Sequence, residues 1–296
     1  WELSPYNIEV LVAFEPGGAV TPGMAVEVAD GLARHAEAIV GPPWNLSARL
    51  ADGPSAWKIA LNLDKLVPSD VPKELLDRDK IFAISIRPAA EGMTIGVREF
   101  DVATRSWGLP IEQTLSHPRR LDRSVFDLIV DAFAPIAKII DADSNSAILE
   151  LRASALPPRD SSLASVRLGD VFLPIVRQDD RQGNPRSDGI QAIPWTFLDV
   201  GGIGEKVECI VKSGLSAPLA SRPRGRIERY ALLVRPPRRD TNLRIVSRTN
   251  ERPLAGYSVY AKVEDSAPPR QVGLSNRVGE LVLAPGEKTI EELSIK

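Results

Sequence analysis

The stretch Val166-Arg-Leu-Gly-Asp-Val-Phe-Leu-Pro-Ile-Val-Arg177 predicts a turn that leads into a buried strand. Gly169-Asp170 has the residue types that turns favour, and the apolar run from Val171 to Val176 is bounded by polar residues. Similar short runs, separated by Gly and Pro, continue to Val234. This pattern is typical of a small β-barrel or β-sandwich, so we expect an all-β domain over residues 144–236.

Upstream of this domain, the sequence predicts a mixed α/β module over residues 1–143. The predicted strands cover residues 7–14, 44–50, 80–87 and 94–101, and a helix follows the first strand, from Thr21-Pro22 to Val40. A second long helix is expected over residues 123–140, with Asp122 as its cap and Pro135 bending or dividing it. Strands that alternate with helices in this way indicate a sheet covered by helices.

The last part of the chain begins after Pro236-Pro237 and predicts a β-sandwich over residues 237–296. Ile290–Lys296 stops inside a potential strand, so we expect the native protein to continue beyond this point. The predicted fold class is therefore α+β multidomain, with a truncated Ig-like or prealbumin-like C-terminal sandwich.

Composition excludes several classes of protein. The chain has 296 residues, of which 43% are hydrophobic and 26% charged, as in ordinary globular proteins. The formal net charge of −2 is too small to attract a polyanion without a local basic patch. No apolar run in the sequence approaches the roughly 18 residues of a membrane-spanning helix. Because the chain begins at Trp1 without a Met, we expect that a secretion signal has been removed.

Two segments carry resemblances to known bacterial modules. The segment Val97-Arg-Glu-Phe-Asp-Val-Ala-Thr-Arg-Ser-Trp107, within the order of strand, helix, hairpin and closing helix, resembles the small α/β module of the curli secretion channel and the flagellar T-ring protein. Arg252-Pro-Leu-Ala-Gly256, followed by the turn Asn276-Arg-Val-Gly279, is similar to the frame of prealbumin-like and carboxypeptidase-regulatory β-sandwich domains.

A third resemblance spans most of the chain. Trp44, the Trp107 hairpin, Gly169-Asp-Val-Phe172, Ile193-Pro-Trp-Thr-Phe197 and Ser213-Gly-Leu215 together resemble a planctomycete family of predicted secreted proteins whose activity is not established. The resemblance implies an extracytoplasmic location, in the periplasm or at the cell surface.

The sequence contains no assembled catalytic or metal-binding motif. A single cysteine, Cys209, rules out an intrachain disulfide, and with only His35 and His117 beside it a zinc site of the usual ligand types is not expected. Cys209 is predicted to be a buried, inert thiol and His35 to face solvent. Nucleophile elbow, phosphate-loop and dinucleotide motifs are absent from the sequence. We therefore predict no catalytic residue, no metal and no cofactor.

Two acidic patterns nevertheless leave alternatives open. Glu99 and Asp101 share a strand face, and a carboxylate pair, or the Asp179-Asp180 loop, is the chemistry that a polysaccharide hydrolase uses. Asp141-x-Asp143-x-Asn145 has the oxygen spacing of a calcium loop but lacks the glycine and the final glutamate, which favours a polar turn.

The strongest local charge signal is a run of arginines. Because arginine forms bidentate contacts with carboxylate and phosphate, this run indicates either a solvated edge that pairs with the chain's own acids or a contact face for a partner. Tyr230 and Tyr257 alone do not make a base-stacking surface, so nucleic acid is not the predicted partner. The predicted interaction residues are Arg222, Arg224, Arg226, Arg229, Arg235, Arg238 and Arg239, and the run continues with Arg244, Arg248 and Arg252.

Together these features predict a non-enzymatic structural or interaction subunit of a bacterial cell-envelope assembly, which binds envelope proteins and associates with itself as a ring or fibre. One alternative is a hydrolase of envelope polysaccharide. Another is a carbohydrate-binding module that uses Trp107 or Trp195, which requires an exposed indole, whereas the sequence favours both as core residues.

Overall fold

The structure is a computed structural model. It describes residues 1–15, 22–116, 120–163, 165–183, 185–216, 218–219, 226–234, 241–262, 268–283 and 292–295. The chain divides into two compact units, Trp1–Arg235 and Pro236–Lys296. An α/β layer and a β-barrel make up the first unit, and small antiparallel sheets make up the second. The fold is therefore α+β and multidomain, as predicted.

The α/β layer is built on one mixed sheet. Its strands are β1 (Tyr6–Phe14), β2 (Trp44–Leu50), β3 (Lys80–Ala89), β4 (Gly92–Asp101), β5 (Ser106–Trp107) and β6 (Ile111–Leu115). The strand order is β2-β1-β3-β4-β5, and β6 also pairs with β4. β1 runs parallel to both β2 and β3, whereas β3 and β4 form an antiparallel hairpin. A central parallel strand is covered on both faces, which explains the nearly continuous apolar sequence of β1.

Three α-helices cover this sheet: α1 (Pro22–His35), α2 (Gly53–Asn62) and α3 (Leu121–Ala132). α1 continues into a π-helical turn, Ala36–Val40. α1 and α3 bury residues such as Leu32 and Phe126 in one core, and α2 buries Ile59 in another. Short 3-10 turns follow α2 at Leu63–Lys65, Pro68–Asp70 and Lys73–Leu75. Among the described residues, no helix has the length and apolar composition needed to cross a bilayer.

The second layer of the first unit is a closed barrel. Its strands are β7 (Ile136–Ala142), β8 (Ser146–Leu151), β9 (Val171–Asp179), β10 (Pro185–Ala192), β11 (Thr196–Ile203), β12 (Val207–Ser213) and β13 (Ile227–Leu233). Six of them close the antiparallel circuit β9-β11-β12-β8-β7-β13-β9, and β10 is added to β9. Of the two predicted architectures, barrel or sandwich, the chain forms the barrel.

The stretch Val166–Arg177 forms a turn and most of the barrel strand β9, as the sequence predicts. Asp170 closes the turn by accepting a hydrogen bond from the Arg167 amide at 2.8 Å, and Gly169 supplies the positive φ of 81°. β9 then pairs with three strands. On one edge its partner is β11 before Pro174 and β10 after it. Pro174 lies between the two partners, where a residue without an N–H is tolerated.

The predicted helix over residues 123–140 is wrong in its second half. α3 ends at Ala132, and Ile136–Ala142 is the barrel strand β7. Pro135 removes a helical hydrogen bond and pushes the residue before it towards extended backbone, and the run after it then pairs with β13 and β8. Asp122 is also not the cap, since Arg120 occupies that position and Asp122 contacts His35 instead, at 3.0 Å between Oδ2 and Nε2.

The second unit is small, and its named secondary-structure elements in the described parts are strands. They are β14 (Thr241–Arg244), β15 (Ser258–Lys262), β16 (Arg270–Leu274), β17 (Glu280–Leu283) and β18 (Glu292–Ile295). β14 pairs with β17, and β15 lies between β16 and β18. The predicted Asn-x-x-Gly turn is present, because Asn276 Oδ1 accepts the amides of Val278 and Glu280 at 3.0 and 2.9 Å.

Candidate functional site

The paired carboxylates Glu99 and Asp101 share a face of β4, as predicted, but they lie inside the protein. Lys80 Nζ lies 2.6 Å from Glu99 Oε1 and 2.8 Å from Asp101 Oδ2, and the three side chains are 0%, 4% and 2% exposed. The hairpin register places Lys80 opposite Asp101, so one lysine reaches both acids. A polysaccharide chain has no access to carboxylates at this depth.

Burial governs the electrostatics of this cluster. It raises the pKa of Glu99, and the charge and hydrogen bond of Lys80 oppose that rise only in part. Burial also lowers the pKa of Lys80, but the charges of Asp101 and Glu99 raise it by more, so the net shift is upward. Lys80 therefore remains a cation that compensates two buried acids.

The same cluster fastens the connection between α3 and the barrel. The Ala134 amide donates to Glu99 Oε2 at 2.8 Å, and the Ala134 carbonyl accepts from Lys80 Nζ at 2.5 Å. Two residues further on, the Ile136 amide donates to the Tyr6 hydroxyl at 3.1 Å. The buried charges thus hold the α/β layer and the first barrel strand together, which is a structural role.

A cleft of about 310 Å³ opens beside this connection and is lined partly by Tyr6, Trp44 and Phe133. Its charged lining residues are Asp131, Arg152 and Arg167, and Arg152 is already paired with Asp79 by two hydrogen bonds, at 2.6 and 2.7 Å. Among the described residues that line the cleft there is no His, Cys or Glu to act as a base or a nucleophile. Asp131 and two serines are among the remaining lining groups, and without a histidine they form no Ser-His-Asp triad; the cleft has the volume of a small ligand site.

Only two of the predicted interaction arginines can be placed. Arg226 donates to the Asp180 carbonyl at 2.7 Å, and Arg229 donates to the Leu219 carbonyl at 2.6 Å. Burial lowers the pKa of Arg229. Arg222, Arg224, Arg235, Arg238 and Arg239 lie outside the described residues. A contact face formed by the whole run remains a prediction.

The two acidic patterns form local turns. Asp143 Oδ1 accepts the amides of Asn145 and Ser146, both at 2.7 Å, which is the polar turn that the missing calcium-loop residues favour. Asp179 is paired with Arg177 at 2.8 Å. Across the part of the chain that the structure describes, no three His, Cys, Asp or Glu side chains converge as a metal site requires.

Cys209 is buried in the barrel interior, as predicted, and burial raises the pKa of its thiol to about 12. Because the thiolate is the reactive form, we expect the native protein to react with a disulfide reagent such as DTNB at less than about 1% of the rate measured in denaturant. Colour release in buffer and in concentrated guanidinium measures this ratio. Comparable rates in the two solvents would mean that the barrel opens readily.

The most unusual surface of the first unit is on the outside of the barrel. Barrel strands alternate between the interior and solvent, so outward positions are normally polar. Here several outward positions are large and apolar, with Phe197 46% and Ile210 48% exposed. We call this surface the apolar wall, and it consists of Ile140, Ile148, Trp195, Phe197 and Ile210.

The strand register makes Phe197, Ile210 and Ile148 neighbours. Phe197 is opposite Lys212 and Ile210 is opposite Asp199, so Phe197 and Ile210 are diagonal neighbours on β11 and β12. Ile210 is opposite Ser146 and Ile148 is opposite Glu208, which makes Ile210 and Ile148 diagonal neighbours as well. Such diagonals bring side chains to roughly 7 Å, within reach of large side chains. The wall is therefore continuous across three strands.

Trp195 stands at the end of this row and corrects the sequence prediction that it is a core residue. Its side chain is 77% exposed, and its φ of 55° is rare for a bulky residue. Trp107, by contrast, is half-buried beside Phe100, with ring centroids 5.1 Å apart. Strained backbone that presents an indole to water is a feature found at functional surfaces.

The wall could have been found from strict alternation along β12. In Val207-Glu-Cys-Ile-Val-Lys-Ser213 the residues Val207, Cys209 and Val211 are buried, which assigns Ile210 to the outer face. An isoleucine between Glu208 and Lys212 on a polar face is the available signal. No such signal exists for Trp195, because its exposure depends on the backbone turn that precedes β11.

Comparisons with known proteins found few similar proteins. No family model and no curated protein matches it. Among solved structures, the crystal structure of TolB from Acinetobacter baumannii matches over 96% of this chain and 72% of the TolB chain, with 11% identity and a TM-score of 0.30. At this TM-score the likeness carries no argument about fold or function.

Proposed function

We propose that the protein is a non-enzymatic interaction subunit of a bacterial cell-envelope assembly and that the apolar wall is its contact surface. The observation that supports this most directly is the continuous exposure of Trp195, Phe197 and Ile210 on a barrel whose interior is already filled. Exposed apolar patches on soluble domains mark protein contacts, and Trp and Phe are the residue types that contribute most there.

The extracytoplasmic location, the relationship to the planctomycete secreted family and the curli-type module are part of the same proposal. The order β1, α1, β2, α2, β3, β4 and α3 in the first unit supports the module. For the second unit we propose a prealbumin-like sandwich, supported by the small antiparallel sheets and the Asn276–Gly279 turn. The arginine run is proposed as an additional contact face for envelope proteins.

The hydrolase alternative loses the support of Glu99 and Asp101, which are enclosed and paired with Lys80, and in its other candidate, the Asp179-Asp180 loop, Asp179 is paired with Arg177. The carbohydrate-binding alternative keeps one specific observation, the 77% exposure of Trp195. An indole in this position can stack on a sugar ring as well as on an apolar protein surface. Its row of aliphatic neighbours, Ile210 and Ile148, favours protein.

The matched pair Trp195→Ala and Trp57→Ala tests the wall. Both tryptophans are exposed, but Trp57 lies on α2, away from the barrel. We expect Trp195→Ala to weaken binding of the purified protein to immobilised envelope proteins of the source organism at least about tenfold, since a buried tryptophan anchor is worth about 2 kcal/mol or more. Trp57→Ala should leave this binding unchanged, as biosensor titrations will show.

Equal effects of the two substitutions, or none from Trp195→Ala, would remove the wall from the proposal. Calorimetric titration with peptidoglycan fragments and soluble polysaccharide decides the alternative. Saturable sugar binding that Trp195→Ala abolishes would establish the carbohydrate-binding module instead.

A further inference from the structure

The outer face of β12 carries a symmetric charge pattern centred on Ile210. Glu208 and Lys212 each lie two residues from Ile210, in opposite directions along the strand, and all three side chains are exposed. With a rise of about 3.4 Å per residue, the two charges lie about 7 Å on either side of the isoleucine. An acid and a base at equal distances from an apolar centre form a self-complementary pattern.

Glu208 and Lys212 have no salt-bridge partner among the described residues, whereas the neighbouring Lys206 pairs with Glu2 and with Glu150 at 2.8 and 2.9 Å. Glu208 leans over the backbone of Gly202, so that a Cβ on Gly202 would lie 3.3 Å from its carboxylate oxygen. The acid and the base are thus free to pair with another molecule.

We propose that the occupant of the apolar wall is a second copy of this chain, bound through a two-fold axis that crosses β12 at Ile210. This inference rests on the proposed function and names its partner. In this arrangement the two β12 strands lie antiparallel, face to face, with Ile210 against the partner's Ile210. Glu208 then meets the partner's Lys212, and the same pair forms a second time by symmetry.

The charge pattern selects this arrangement over the parallel one. With parallel β12 strands, Glu208 would face the partner's Glu208 and Lys212 the partner's Lys212, and like charges at an interface are repulsive. Antiparallel strands convert both repulsions into attractions. Ile210 supplies the apolar surface that the dimer buries, and the charges determine the relative direction of the two β12 strands.

On the neighbouring strand β11 the same symmetry places Asp199, which is opposite Ile210, against the partner's Asp199, so one like-charge contact accompanies the two Glu208–Lys212 attractions. Phe197 is opposite Lys212 and Gly202 is opposite Glu208, so the two-fold axis places the Phe197 ring on the partner's Gly201 and Gly202. The partner's own side chains lie over these glycines, with Ile210 3.6 Å from a Cβ on Gly201 and Glu208 3.3 Å from a Cβ on Gly202, so the ring would pack against those two side chains. Trp195, two residues before Phe197, falls beside the partner's Ile203, which is also exposed.

Charge reversal tests the two-fold arrangement in the full chain. A patch of a few strands is at the small end of protein interfaces, so we expect a dissociation constant on the order of tens of micromolar, measured by sedimentation velocity. Glu208→Lys and Lys212→Glu should each weaken the dimer at least about tenfold, because each creates two like-charge contacts. Glu91→Lys, in the β3–β4 turn, is the control and should have no effect.

The decisive measurement is an equimolar mixture of the two single variants. In a mixed dimer the introduced Lys meets the introduced Glu and the native Lys212 meets the native Glu208, so dimerisation should return to nearly the wild-type value. The double variant should also dimerise. All variants should keep the wild-type melting temperature, because the altered side chains are exposed.

Three results would overturn the pairing. A wild-type chain that stays monomeric at concentrations more than about tenfold above the expected dissociation constant excludes it. If Trp195→Ala weakens envelope binding all the same, the proposed function stands with a different partner. A dimer that tolerates both reversals uses another surface. Single variants that dissociate but are not rescued by mixing exclude the two-fold geometry while keeping the wall as a contact.

Discussion

Replacing Lys80 with methionine is expected to lower the free energy of unfolding by about 3–5 kcal/mol, the cost of leaving buried charges uncompensated. Because methionine fills a similar volume, the loss of stability measures the effect of removing the charge. The variant leaves Glu99 and Asp101 buried without the cation that lies 2.6 and 2.8 Å from them. It also removes the donor to the Ala134 carbonyl. Urea denaturation at neutral pH measures the loss.

The triple variant Lys80→Met, Glu99→Gln, Asp101→Asn is the control. It removes the buried negative charges as well, so we expect it to recover about half of the stability lost in the single variant or more. The side-chain amide introduced by Asp101→Asn keeps a carbonyl oxygen that can accept the Thr104 amide, which lies 2.7 Å from Asp101 Oδ1. A triple variant no more stable than Lys80→Met would show that hydrogen bonding, and not charge, accounts for the loss.

The penalty should also depend on pH. Burial already raises the pKa of Glu99, and removal of Lys80, which opposes this shift, raises it further. A carboxyl whose pKa is higher in the folded than in the unfolded state stabilises the fold at low pH and loses that contribution as pH rises through the folded-state pKa. The difference between wild type and Lys80→Met should therefore shrink as pH falls towards 4.5, the ordinary pKa of a glutamate.

Gly92→Ala is expected to cost about 3 kcal/mol or more, the second large effect. Gly92 begins β4 with a φ of 112°, and a Cβ there would lie 2.0 Å from the Leu115 carbonyl oxygen. An L-residue is strained at this φ, and the close backbone contact forces β6 away from β4. Thermal and urea denaturation should show the loss.

Gly169→Ala is the matched control for Gly92→Ala. Gly169 also has a positive φ, 81°, but nothing lies within 4 Å of a Cβ built on it. The substitution should therefore cost only the conformational term of about 1–2 kcal/mol. Equal losses in both variants would mean that the contact with Leu115 does not matter.

Much of the fold follows from local patterns in the sequence. The apolar run of β1, the helical spacing of α1 and the Gly169-Asp170 turn before β9 are each determined by neighbouring residues, and each is found where predicted. The end of α3 is different. Ile136 and Ile140 have helical spacing with Phe133, so the periodicity continues through Pro135 although the chain changes to a strand.

The candidate site depends on residues that lie far apart in the chain. That Glu99 and Asp101 share a face follows from strand geometry, but their neutralisation by Lys80 follows from the β3–β4 register, which local pattern does not determine. Residue type alone predicts a buried Trp195, because tryptophans are mostly buried. Its exposure results from a left-handed backbone residue at the start of β11, which residue type does not reveal.

Barrel closure has a consequence for hydrogen exchange. Each of the six strands in the circuit has a neighbour on both edges, so no strand can leave without breaking two ladders. Amides buried in β8, β12 and β13 should therefore exchange together, with one opening free energy equal to that of global unfolding. The amides of β10, which pairs with β9 alone, should exchange earlier. Their exchange rates would therefore measure local fraying and not global unfolding of the barrel.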